Sequence, residues 1–93
     1  TGANLFSANL SNTNLTGANL SGAALIGVRL VGAILHDANL TGANLSGAYL
    51  QAASLYGANF SGVRNLTADQ LKHTAQAFWA KNIPPGLRKG VRR

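Results

Sequence analysis

Residues 38–48 read ANLTGANLSGA: Ala, Asn, Leu, a small hydroxyl residue and Gly, then the same order again five residues later. An apolar side chain keeps that interval through most of the chain, at Leu5, Leu10, Leu15, Leu20, Leu25, Leu30, Leu35, Leu40, Leu45, Leu50, Leu55 and Phe60. Two places before each stands a small residue, Ala everywhere except Thr13 and Val28. Five residues of α-helix rotate the side-chain direction by about 500°, so these leucines would scatter round the cylinder. A continuous strand would send alternate leucines to opposite faces. What remains is a short strand that presents positions i−2 and i to one side, followed by a corner, repeated.

Glycine marks the corner. It stands two places after the central residue at Gly17, Gly22, Gly27, Gly32, Gly42, Gly47, Gly57 and Gly62, with Gly2 in the same register. That is the third position of a turn, where a type II geometry needs φ > 0. Asn12 and Asp37 tolerate the same region. Ser7 and Ala52 do not, and a different turn type is expected there.

The units ANLFS, ANLSN, ANLTG and ANLSG, with their variants over residues 3–62, resemble the A(D/N)LXX consensus of the pentapeptide-repeat family. The resemblance implies an all-β solenoid: a right-handed quadrilateral parallel β-helix with four pentapeptides per coil, Leu or Phe on the axis and Ala at the wall. ANLSG at 18–22, ANLTG at 38–42 and ANFSG at 58–62 recur at the interval such a coil requires. About three coils are expected, and units of this kind bury their apolar edges only against neighbours.

After Phe60 the rhythm slips, with Asn65 where the next central residue belongs and Leu66 one place late. Thr67 and Gln70 make a capping box, and Ala68, Leu71, Ala75 and Phe78 follow at helical spacing. The reading divides the chain into a β-helix over 1–66, a C-terminal capping α-helix within 67–82 (helical residues 68–81) that Pro84 and Pro85 prevent from continuing, and a basic, flexible tail over 83–93. No comparable cap precedes the first coil. An open edge there invites either an end-to-end homodimer or an upstream segment, and Thr1 in place of Met is read as a sign of upstream trimming.

Composition narrows the function. The chain has no Cys, so thiol chemistry and Cys-bound metal are absent. Only 11% of residues are charged, and the surface falls to Asn, Ser, Thr and Gly. No apolar run approaches the roughly 20 residues of a transmembrane helix. The compartment is open between the cytoplasm and wherever an upstream segment would send the chain. Of the net charge of +6, Arg88, Lys89, Arg92 and Arg93 supply four from the last six residues.

Catalysis needs an acid, base or nucleophile beside a partner, and only Asp37, Asp69, His36 and His73 are available besides hydroxyls. His36 and Asp37 adjoin at an outward corner without a third member. No catalytic residue, cofactor, metal site or small-molecule substrate is assigned. The glycines lack the Lys-Ser/Thr of a phosphate loop, and the Asn-X-Ser/Thr triplets follow from the repeat.

Residues 20 apart should stack on one outer face. Asn19, Asn39 and Asn59 form one such ladder beside Ser21, Thr41 and Ser61, and are expected to satisfy one another. The middle coil departs from it. Ile26, Arg29, Val31, Ile34 and His36 take outward positions, with Phe6 above Ile26, Tyr49 below Arg29 and Tyr56 below His36. These eight residues form a candidate contact patch for an unidentified protein partner. Two alternatives are set beside it. Family members that mimic DNA and act on type II topoisomerases need an acidic surface, which two carboxylates cannot build. A basic tail could instead hold the column on anionic membrane or nucleic acid, with steep salt dependence.

Overall fold

The computed structural model describes residues 2–87, apart from the side chain of Phe78. Every central residue from Leu5 to Phe60 offers its carbonyl to the N–H three residues on, as in Leu5 O to Ala8 N–H at 2.9 Å and Phe60 O to Val63 N–H at 3.1 Å. Each unit is thus closed by a β-turn, and the residue two places past the centre lies at positive φ throughout. Ser7 (φ 56°) and Ala52 (φ 61°) conform as well, so the different turn expected at these two positions does not occur. The ladder above and below fixes the corner more strongly than the side chain resists it. A non-glycine residue pays about 1–2 kcal/mol for that conformation.

Between corners, residues 20 apart form parallel bridges on four faces. Face 1 carries Asn4, Ala24, Asn44 and Arg64; face 2 carries Asn9, Arg29 and Tyr49. Face 3 carries Asn14, Ile34, Ser54 and Ala75; face 4 carries Asn19, Asn39, Asn59 and Lys81. Leucines 25 through 55 and Phe60 are buried on the axis, with alanines such as Ala33, Ala43 and Ala53 beside them. Leu5, Leu10 and Leu15 are partly buried and pack onto this pillar. Each full burial of a leucine is worth about 1.5–3 kcal/mol, the main favourable term for so small a chain.

The backbone donors of one pentapeptide explain its consensus. Around Leu40, the Ala38 N–H closes the preceding turn on Leu35 O, and Asn39 N–H reaches up to Ala18 O. Leu40 N–H and Gly42 N–H reach down to Asn59 O and Ser61 O. Only the Thr41 N–H is unused by the ladder, and Asn39 Oδ1 accepts it at 3.0 Å together with the Thr41 hydroxyl at 2.6 Å. Asn before the central Leu is therefore the local acceptor for the fifth N–H. Asn4, Asn9, Asn14, Asn19, Asn44 and Asn59 do the same. The asparagine ladder and the hydroxyl ladder beside it satisfy one another at Asn19–Ser21 and Asn39–Thr41, each asparagine oxygen turning back on its own corner.

Beyond Phe60 the expected helix over 68–81 is reduced to one turn. Helix α1 spans Ala68–Leu71, with Thr67 as N-cap and the Thr67–Gln70 capping box formed. A short 3₁₀ turn follows at Ala77–Trp79. The rest of the segment pairs with the exposed edge of the coil above it. Ala75 N–H donates to Ala53 O at 2.7 Å and Leu55 N–H to Ala75 O at 2.9 Å; Lys81 N–H and O bind Ala58 O and Phe60 N–H in the same way. A helix through this region would satisfy its own amides and leave that edge bare, so tertiary pairing overrides the helical spacing of Leu71, Ala75 and Phe78. Leu71, Ala77, Ala80 and Ile83 are buried against the pillar. Within the tail expected from residue 83, Ile83 is buried and Leu87 packs on the core; Arg88, Lys89, Arg92 and Arg93 lie outside the described residues.

Gln70 joins the two parts. Its Oε1 accepts Thr67 N–H at 2.8 Å, while its Nε2 donates to Leu45 O at 2.8 Å and Ala48 O at 3.1 Å. On face 2, where α1 swings out and no further bridge forms among the described residues, this amide supplies the donor that a next strand would have given to Ala48 O.

Candidate functional surface

The ladder register distributes the eight candidate residues over half the perimeter. Phe6 and Ile26 sit at the corner entering face 2, and Arg29 and Tyr49 lie on that face. Val31 is at the next corner, Ile34 on face 3, and His36 and Tyr56 at the corner leaving it. Phe6, Tyr49, Tyr56 and Ile34 are exposed, at 66%, 45%, 48% and 36%. Ile26, Val31 and His36 are half-buried. The candidates are therefore two adjoining faces with their corners, and Phe6 is diagonal to Tyr56.

Two side-chain columns organise these faces. On face 2 the Arg29 guanidinium carbon lies 5.4 Å from the Tyr49 ring centroid, a cation–π pair. At the far corner of face 3, His36 meets Tyr56 edge-on at 6.0 Å, and Tyr56 meets Trp79 at 6.5 Å. Trp79, 47% exposed, extends this column and was hidden in the sequence by the presumed helix. Only the slip in rhythm after Phe60 signalled that residues 76–79 could come under Tyr56.

His36 Nε2 is 2.6 Å from Ser54 Oγ, and Ser54 Oγ donates to Gln76 Oε1 at 2.6 Å. With its one proton committed to Gln76, the serine hydroxyl accepts from His36, so the imidazole acts as donor. That is the reverse of what activating a serine nucleophile requires. Asp37 holds its carboxylate above Gly57 at the corner, away from a position that would orient the imidazole. Among the described residues no group of three or more His, Cys, Asp or Glu stands together to hold a metal. A cleft of about 540 Å³ beneath Tyr49 is lined by Gln51, Thr67, Asp69 and Gln70 among others, and Gln70 is engaged in the contacts above. No helix among the described residues is long and apolar enough to cross a membrane.

The departures from Asn have a backbone consequence. Where Ala24, Arg29, Ile34, Tyr49 and Ser54 replace it, no acceptor in the described chain receives the N–H of Ile26, Val31, His36, Gln51 or Tyr56. Four of these five donors, at Val31, His36, Gln51 and Tyr56, stand at the two corners that border face 3.

A family model described as pentapeptide repeats matches residues 1–37 and 33–64, with 8 copies. The chain is similar to a pentapeptide repeat protein of the Arabidopsis thaliana thylakoid lumen, at 32% identity over 68% of this chain and 47% of that one, with a TM-score of 0.39. It is similar to the pentapeptide repeat protein Rfr23 of the cyanobacterium Cyanothece 51142, at 34% identity over 86% and 56% of the two chains and a TM-score of 0.37. A third, from Nostoc PCC 7120, shares 29% identity over 99% and 81%, with a TM-score of 0.37. The chain thus spans about half the length of the first two. No curated protein matches it.

Proposed function

Because the chain belongs to the pentapeptide-repeat family, we propose that it is a non-enzymatic scaffold whose faces 2 and 3 dock a partner while faces 1 and 4 mainly maintain the column. In this reading residues 1–66 form about three coils, and 67–87 close the lower end of the leucine pillar. The observation that carries the proposal is the segregation of side chains. Arg29, Ile34, Tyr49 and Tyr56 gather on or beside two adjoining faces, whereas face 4 repeats Asn19, Asn39 and Asn59. Half-exposed rings cost the column solvation without contributing to its axis, and such clusters are typical of contact surfaces.

The test is a triple substitution, Ile34→Ala, Tyr49→Ala and Tyr56→Ala, compared with Asn19→Ala, Asn39→Ala and Asn59→Ala on face 4. Affinity capture with the first variant should lose partners that the second retains. Retention of every partner by the first variant rejects the reading.

A further inference from the structure

Resting on the proposal that faces 2 and 3 form a docking surface, we infer that their partner is a single-stranded nucleic acid. Three features coincide there, and each suits one part of such a strand. Exposed rings at Tyr56 and Trp79, and at Tyr49 on the side away from the Arg29 guanidinium, offer π-faces and edges to unpaired bases. Exposed cations lie along the same belt at Arg29 on face 2 and Lys72 at the corner after it, and Lys81 borders it from the edge of face 4 beside the Trp79 column. The backbone N–H groups of Val31, His36, Gln51 and Tyr56 have no acceptor in the described chain. These outward amides, which solvent otherwise satisfies, can also donate to an acceptor-rich, anionic ligand, and phosphate oxygens beside the cations suit both. Two carboxylates adjoin the belt, Asp37 over Gly57 and Asp69 in the first turn of α1. The three cations outnumber them.

The shape selects a flexible strand over a bilayer or a duplex. Tyr49 lies on face 2, whereas Tyr56 and Trp79 lie beyond face 3, so the rings point to different sides of a column only 30 × 24 × 22 Å across. A flat membrane or a stiff duplex meets one side at a time. An unpaired strand can bend round the intervening corner and use both.

The experiment uses the full 93-residue chain and a short oligothymidylate. The sole tryptophan, Trp79, reports binding by fluorescence quenching, and anisotropy of a labelled oligonucleotide measures affinity. A companion protein in which Arg88, Lys89, Arg92 and Arg93 are all changed to Gln removes the tail charge. In that background three phosphate contacts predict a log–log salt slope of about −2, a loss of roughly 20-fold between about 50 and about 200 mM salt. Tyr49→Ala and Tyr56→Ala should each weaken binding about tenfold, while Tyr56→Phe, which keeps the ring, should stay within about twofold. Unchanged thermal unfolding of these variants shows that the fold is intact.

Absence of quenching and of an anisotropy change at low salt overturns the inference. So does equal binding by the alanine variants, or binding abolished by neutralising the tail alone. Ring-dependent retention on phosphatidylserine vesicles without oligonucleotide binding also overturns it, in favour of a membrane. If the oligonucleotide fails but the Ile34, Tyr49 and Tyr56 triple variant still loses a captured protein, the docking surface stands and only its partner is misassigned. If that variant loses nothing, both proposals fall.

Discussion

Replacing Gln70 with Glu changes a single amide nitrogen to oxygen and separates the two tasks of this side chain. The capping box survives, because a carboxylate accepts Thr67 N–H as well as the amide oxygen did, and a negative charge in the first turn of α1 gains about 0.3–1 kcal/mol from the helix dipole. The bonds from Nε2 to Leu45 O at 2.8 Å and Ala48 O at 3.1 Å are lost. At about 0.5–1.5 kcal/mol each, their loss costs about 1–3 kcal/mol, and the new oxygen also faces two carbonyls. The net expectation is destabilisation by about 2 kcal/mol, or roughly 8–16 °C in melting temperature for a domain of this size. Gln70→Ala removes the capping box as well and should cost about 2–4 kcal/mol. Thermal unfolding followed by circular dichroism at neutral pH measures both. Protonating the introduced carboxylate restores one donor, so the Gln70→Glu deficit should shrink on acidification relative to the parent protein. A Gln70→Glu protein as stable as the parent would refute the idea that this amide ties the C-terminal segment to the β-helix edge.

Leu35→Ala deletes a fully buried member of the pillar and should cost about 2–5 kcal/mol by denaturant titration. Ala52→Gly relieves a positive φ, and the gain of about 1–2 kcal/mol outweighs the added freedom of the unfolded chain, leaving net stabilisation of about 0.5–1 kcal/mol by the same assay. Asn39→Ala leaves the Thr41 N–H without its acceptor and should cost about 1 kcal/mol, whereas Tyr49→Asn, which supplies an acceptor for Gln51 N–H, should be neutral within about 0.5 kcal/mol. Equal costs at residues 39 and 49 would contradict the assigned role of Asn.

The regular column was legible in the sequence because two independent periodicities agreed. Leu every fifth place excluded helix and flat strand, and Gly two places later supplied the corner. Ser7 and Ala52 defy single-residue preference because that preference omits the ladder bonds around each corner. The same omission lengthened the helix after Thr67: Leu71, Ala75 and Phe78 have helical spacing, but spacing does not record the open amides of Leu55 and Phe60 waiting above. The candidate surface was half legible. Register alone placed Arg29 over Tyr49 and His36 over Tyr56. Gln76 and Trp79 join that surface through a chain path whose 20-residue interval lengthens to 21 at Ala75 and 22 at Lys81.

In the units around Leu25, Leu30, Leu35, Leu40 and Leu55, four of the five amides are consumed by neighbours above, below and behind, whatever side chain precedes the central leucine. That outward residue answers to a single local debt, one hydrogen-bond acceptor, which solvent can also supply. Mutation can therefore redraw the exterior rung by rung while the interior stays as it is, and new binding specificities can arise in such a protein without passing through an unfolded ancestor.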